Sequence, residues 1–152
     1  MVCLILHNIR SVYNVASIFR TAECAGVSQI YLTGITPTPT DRFGRARKDF
    51  AKVSLGAEKT VPFEYRANVT ALVRRLQKEK VLCIAVEQAK NSVDYRRVRV
   101  RKHTAYLLGN EVSGVPPFLL RHCDVVVEIP MRGSKESLNV AVAVGVILFQ
   151  ML

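Results

Sequence analysis

Apolar runs of strand length alternating with helical periods predict an α/β domain, with a mostly parallel sheet covered by helices on both faces. Two observations carry this. The alternation holds from the first residues to the last, and each strand run is continuously apolar, as in sheets buried on both sides. "VCLIL" at 2–6 reads as the first strand. "YNVASIFRTAECAG" at 13–26 reads as a helix closed by Gly26, and "QIYLTG" at 29–34 as the second strand. The next segment, "ITPTPTDRFGRARKDF", is polar and without a period, so it is expected to be a long functional or mobile loop.

A short helix is expected around "DFAKVSLGAE", a strand near "TVPF" and a helix over "NVTALVRRLQKEK". "VLCIAVE" at 81–87 is a strong strand, and "AYLLG" at 105–109 is another. "PPFLLRHC" reads as a short helix, "DVVVEIP" as the last strand, and an apolar helix from Leu138 closes the chain. Ligands of such sheets bind beyond the carboxyl ends of the strands.

The 152 residues fit one domain, 1–152, with no linker or repeat. The opening "MVCLIL" is too short for a signal peptide, so a cytoplasmic protein is expected. From Leu138 to Leu152 there are 15 residues, against roughly 20 needed to span a bilayer. No membrane role follows from them. Cys3, Cys24, Cys83 and Cys123 form no CxxC pair, which gives no metal site and suggests reduced core cysteines.

Charge is the strongest bulk signal. Lys and Arg number 22 against 12 Asp and Glu, for a net +10, on a chain that is 49% hydrophobic. That balance points to a folded domain with a basic surface and a polyanionic partner. Two clusters carry the excess. One holds Arg42, Arg45, Arg47 and Lys48; the other holds Arg96, Arg97, Arg99, Arg101 and Lys102.

Three strand–helix junctions carry residues that a core would not select. In the first helix, Asn14 and Arg20 lie off the apolar stripe of Val15, Ile18, Phe19, Ala22 and Ala25. "AYLLG" runs into "GNEVSGVPP", where Gly109 and Gly114 suit tight backbone turns and Glu111 sits just past the strand. No P-loop or GxGxxG pattern is present there. "DVVVEIP" runs into "MRGSKESLN", where Gly133 suits a bend and Ser137 a helix N-cap. That assignment leaves Asn139 inside the helix, where its propensity is poor. The helix beyond it is apolar on nearly every side and must be enclosed, and a second subunit could supply the outer cover.

Together these segments resemble the SpoU, or TrmH, class of RNA ribose 2'-O-methyltransferases in the SPOUT superfamily. The likeness runs from "HNIRSVYNVASIFRTAECAGV" through "YLLGNEVSGVP" to "IPMRGSKESLNVAVAVGVILF". It implies an S-adenosylmethionine-dependent enzyme with a deep C-terminal trefoil knot that acts as a homodimer, in a minimal form without an N-terminal extension. By position, Asn14, Arg20, Glu111, Ser137 and Asn139 match the catalytic residues. Val86, Glu87, Leu108, Gly109, Ile129, Met131, Ser137 and Leu138 match the cofactor pocket. RNA recognition is expected from Arg42, Arg45, Arg47 and Lys48, with tRNA as the expected substrate and ribosomal RNA as the other.

An arginine is a poor free base because its guanidinium stays charged. Arg20 is therefore expected to grip an RNA phosphate and polarise the ribose hydroxyl. The rival readings are a non-catalytic RNA-binding protein of the same fold and a base methyltransferase. The five polar residues argue against the first and Arg20 against the second.

Overall fold

The computed structural model describes residues 1–100 and 102–151. Seven strands form one sheet in the order β3-β2-β1-β6-β4-β7-β5, with every pairing parallel. They are β1 Val2–His7, β2 Gln29–Thr33, β3 Phe63–Tyr65, β4 Leu82–Val86, β5 Val93–Asp94, β6 Thr104–Leu108 and β7 Val125–Glu128. The helices are α1 Val12–Cys24, α2 Lys48–Ser54, α3 Ala57–Thr60, α4 Val69–Lys78, α5 Pro117–Leu120 and α6 Val140–Met151.

Alternation along each buried strand sorts the core into two layers. Leu4, Leu6, Ile30, Leu32, Ile84 and Tyr106 face α1, α2 and α6. Cys3, Ile5, Cys83, Ala85, Ala105 and Leu107 face α4 and α5. Every residue of β6 is buried, which is why it reads as an unbroken apolar run. On the first face Phe19 meets Phe50 and Phe63 edge-on, with ring centroids 5.2 and 5.5 Å away. Such pairs contribute about 0.5–1.5 kcal/mol each beyond area burial.

Several elements differ from the sequence reading. The third strand, expected near "TVPF", starts at its last residue and runs Phe63–Tyr65; Pro62 offers its carbonyl to Ile30 but has no N–H to donate. The helix expected over "DFAKVSLGAE" breaks into α2 and α3 where Leu55 and Gly56 take left-handed backbone at φ 51° and 92°. A two-residue strand, β5, stands just before the second basic cluster, where the sequence reading placed no strand. The long loop is not formless: Thr40 and Ala46 form an antiparallel bridge. Cys24 is exposed rather than in the core. Arg101 lies outside the described residues.

The last helix begins at Val140, two residues later than Ser137 would set it. Asn139 is its cap: Oδ1 accepts from Ala141 N at 2.8 Å and more weakly from Val142 N at 3.4 Å. Gly133 has no left-handed backbone, and a side chain there would meet open space, so the bend does not demand glycine. Nor is α6 enclosed all round in one chain. Val144, Ile147 and Leu148 are buried against the core, while Val142 and Phe149 are 52% and 64% exposed. Among the described residues no helix is long and apolar enough to cross a membrane.

Candidate active site

In a parallel sheet all carboxyl ends lie on one edge. Above those of the adjacent strands β6, β4 and β7 opens a cleft of about 480 Å³. Segment 129–139 turns back over it, carrying the chain from β7 to α6 and thus to the α1 face. Val86, Glu87, Leu108, Gly109, Ile129, Met131, Ser137 and Leu138 all line it, as do Asn14, Glu111 and Asn139.

Three side chains link the junctions by directed hydrogen bonds. Glu111 Oε2 accepts from Arg10 N at 3.0 Å, and its Oε1 from Ser11 N at 3.1 Å and Asn14 Nδ2 at 3.2 Å. Asn14 Oδ1 accepts from Asn139 Nδ2 at 3.1 Å, and Asn139 Oδ1 turns to the first N–H groups of α6. A carboxylate only accepts, and a helix start only donates, so each amide has one orientation that satisfies the series. Burial works against ionisation of Glu111, but the N–H groups of Arg10, Glu111 and Ser11 and the Asn14 amide outweigh it and hold the carboxyl below its ordinary range. Asn14 is buried at the start of α1, where Ser11 Oγ accepts from its N–H at 3.1 Å.

Arg20 is not part of this group. It is exposed, and six residues beyond Asn14 put it roughly 240° further round α1.

The two glycines after β6 owe their identity to close approach. A Cβ on Gly109 would collide with the Gly114 backbone, and one on Gly114, at φ 68°, with the Glu87 carboxylate. Glu87 uses that carboxylate to accept from Val115 N and Gln88 N, both at 2.8 Å. Asn110 closes the same turn, exchanging backbone bonds with Gly114 and accepting from Val112 N and Ser113 N through Oδ1. Its Nδ2 donates to Asn8 O at 2.8 Å.

Asn8 has φ 55°, a left-handed state that asparagine tolerates better than most residues. Its Oδ1 accepts from Ile35 N, which puts Nδ2 against His7 Nε2. That leaves Nδ1 of His7 to donate to Thr33 Oγ1 at 2.8 Å, and burial lowers the His7 pKa, favouring this neutral ring. The sequence reading missed Asn8, Gln88, Asn110, Glu128 and Glu136 here. The signal for four of them was position, since Asn8, Gln88, Asn110 and Glu128 each lie at or within two residues of a strand's carboxyl end.

Of the basic residues expected to meet RNA, Arg45 pairs with Asp41 at 2.9 Å and Arg47 with Asp49 at 3.2 Å. Exposed pairs of this kind are worth little and exchange readily. Arg42 and Lys48 are exposed, and neither is in an ion pair among the described residues. In the second strip Arg96 pairs with Asp94, whose carboxyl it holds down to about 2.

Residues 1–149 match the SpoU rRNA Methylase family. The chain belongs to that family. Membership implies the C-terminal knot, a rare exception among folds. The chain is 31% identical over 147 residues to the 23S rRNA (guanosine-2'-O-)-methyltransferase RlmB of Escherichia coli, covering 97% of itself and 58% of that protein. To the RlmB of Xanthomonas axonopodis it is 34% identical, covering 97% and 56%. It therefore spans little more than half the length of these curated relatives. Among solved structures, the AdoMet-bound rRNA methyltransferase of Sinorhizobium meliloti aligns with TM-score 0.87 and 32% identity, over 99% of this chain and 55% of that one. The A. aeolicus TrmH/SpoU tRNA modifying enzyme aligns with TM-score 0.86 and 27% identity, over 99% and 73%.

Proposed function

We propose that this SpoU-family domain is an S-adenosylmethionine-dependent RNA methyltransferase that modifies a ribose 2'-hydroxyl. The observation that carries this reading is the strand-end cleft with the Glu111–Asn14–Asn139 series on its rim. The cleft is of the size that takes a cofactor. Its apolar contacts, Leu108, Ile129, Met131 and Leu138, suit an adenine ring, while the exposed backbone of strand ends suits the polar groups.

Val86, Glu87, Leu108, Gly109, Ile129, Met131, Ser137 and Leu138 would hold the cofactor. When bound, it supplies an electrophilic sulfonium methyl group. Asn14, Asn139 and Ser137 orient the ribose so that its 2'-oxygen lies in line, and such orientation can lower a barrier by about 7–11 kcal/mol at best. Glu111 keeps both asparagines in register. Arg20 lies outside the cleft of its own chain. Its part, gripping a phosphate of the RNA and polarising the hydroxyl while the proton passes to solvent or phosphate, rests on its reaching the cleft of a second copy in the proposed homodimer.

The two relatives named as 23S rRNA enzymes favour ribosomal RNA as the substrate. The likeness to a tRNA modifying enzyme that the chain covers more fully keeps tRNA as the second reading. The open flank of α6, with Val142 and Phe149, supports a homodimer in which a second copy covers it.

The test is transfer of labelled methyl groups to ribosomal RNA and to total tRNA, followed by digestion to nucleosides. A 2'-O-methylated nucleoside is expected. Cofactor binding without transfer would leave an RNA-binding protein, and label on a base would replace the ribose reading. A monomer mass in solution would overturn the dimer.

A further inference from the structure

The loop between β2 and α2 presents an aromatic ring as well as charge. Phe43 stands at its tip, 67% exposed, and the tip is held firmly. Asp41 Oδ1 accepts from Phe43 N and Arg45 N, both at 2.9 Å. Asp41 also exchanges backbone bonds with this turn, its N–H donating to Arg45 O and its carbonyl accepting from Gly44 N. Gly44, at φ 76°, allows the reversal, and Arg47 N closes the base of the loop on Pro39 O. Arg42 and Arg45 bring their guanidinium carbons to 4.8 and 5.0 Å from the centre of the Phe43 ring.

A lone exposed apolar side chain needs no explanation. This one differs because a fixed turn aims it outward and two cations flank it. Aromatic rings beside guanidinium groups form the surface on which unpaired nucleobases stack. A base that takes the ring face displaces a guanidinium group to an adjoining phosphate, Arg42 directly and Arg45 by exchanging its exposed pair with Asp41. A base within a duplex already has both faces covered and gains nothing there. The loop leaves the carboxyl end of β2, the same edge of the sheet as the cleft, so one strand of nucleic acid can run from ring to cleft.

We propose that Phe43 is a stacking platform for an unpaired base of the RNA substrate, with Arg42 and Arg45 on the flanking phosphates. The proposal rests on the RNA methyltransferase reading and deepens it: the substrate is single-stranded near the modified nucleotide.

The chain has no tryptophan, so Phe43→Trp introduces a single fluorescent reporter. An RNA oligonucleotide is titrated into this variant beside an abasic strand and a duplex of equal length. Quenching by the single strand alone is expected. Phe43→Ala should weaken single-strand binding by roughly five- to 150-fold at unchanged salt slope, because no charge is lost, while Phe43→Tyr retains affinity. Wild-type affinity in Phe43→Ala, or equal quenching by duplex, overturns this proposal alone. Failure of the wild-type protein to bind any RNA overturns the RNA reading and this proposal together.

Discussion

Replacing Glu111 by glutamine keeps the shape of the side chain, removes its charge and turns one acceptor into a donor. The carboxylate takes three hydrogen bonds, two at Oε1 and one at Oε2. If the new amide oxygen stays on Ser11 N and Asn14 Nδ2, the new NH2 faces Arg10 N and that donor loses its partner. If the amide turns over, it must donate to Asn14 Oδ1, which reverses Asn14, then Asn139, and sets an NH2 against the start of α6. Neither arrangement satisfies every group. One lost charge-assisted bond on a solvated rim costs about 1–2 kcal/mol. For a chain of this length that lowers the melting midpoint by roughly 2–8 °C.

If half-turned amides misplace the ribose by the same energy, kcat/KM for methyl transfer falls by roughly five- to thirtyfold. The pH dependence is a second readout. Because the folded carboxyl is held below its ordinary value of 4.5, the wild-type advantage is complete above that pH and disappears as pH falls through the folded value. Melting curves from pH 3 to 7 and initial rates at pH 7 measure both. A Glu111→Gln protein with wild-type midpoint and rate would refute the reasoning.

Three other outcomes are expected. Gly114→Ala introduces a Cβ at φ 68° against the Glu87 carboxylate; it should cost about 1–3 kcal/mol in urea unfolding and weaken cofactor binding at least tenfold by calorimetry. Arg20→Ala should abolish transfer while cofactor affinity stays close to wild type, and transfer at the wild-type rate would remove Arg20 from the reaction. Reversing both Arg45 and Arg47 to glutamate should lower RNA affinity and flatten its dependence on salt by roughly one unit per lost phosphate contact; an unchanged slope moves the RNA face elsewhere.

What could be read from sequence follows from how locally each feature is encoded. The strands β1, β2, β4, β6 and β7 are buried on both faces, so their runs announce themselves. Val86, Leu108 and Ile129 stand at or just past strand ends, where ligands of parallel sheets bind, but it is the family resemblance that singles them out by number. The neighbour order β6-β4-β7, which brings those ends together, depends on long-range pairing that no local pattern reports. The same limit explains the shifted cap. Ser137 and Asn139 are both good caps, and the choice of Asn139 depends on Asn14, 125 residues away. Glu136 resembles an ordinary surface acid until the returning segment folds over the cleft.

One consequence lies in the charges around that cleft. Among the described residues its lining holds Glu87, Glu111, Glu128 and Glu136 and neither lysine nor arginine, on a chain of net +10. The basic loops therefore draw in a polyanion from a distance, while the pit itself repels phosphate and attracts a cation. A sulfonium carries positive charge and the thioether left after transfer carries none. In the proposed reaction the acidic lining would thus favour the charged cofactor over its spent form, giving turnover a built-in preference for unloading.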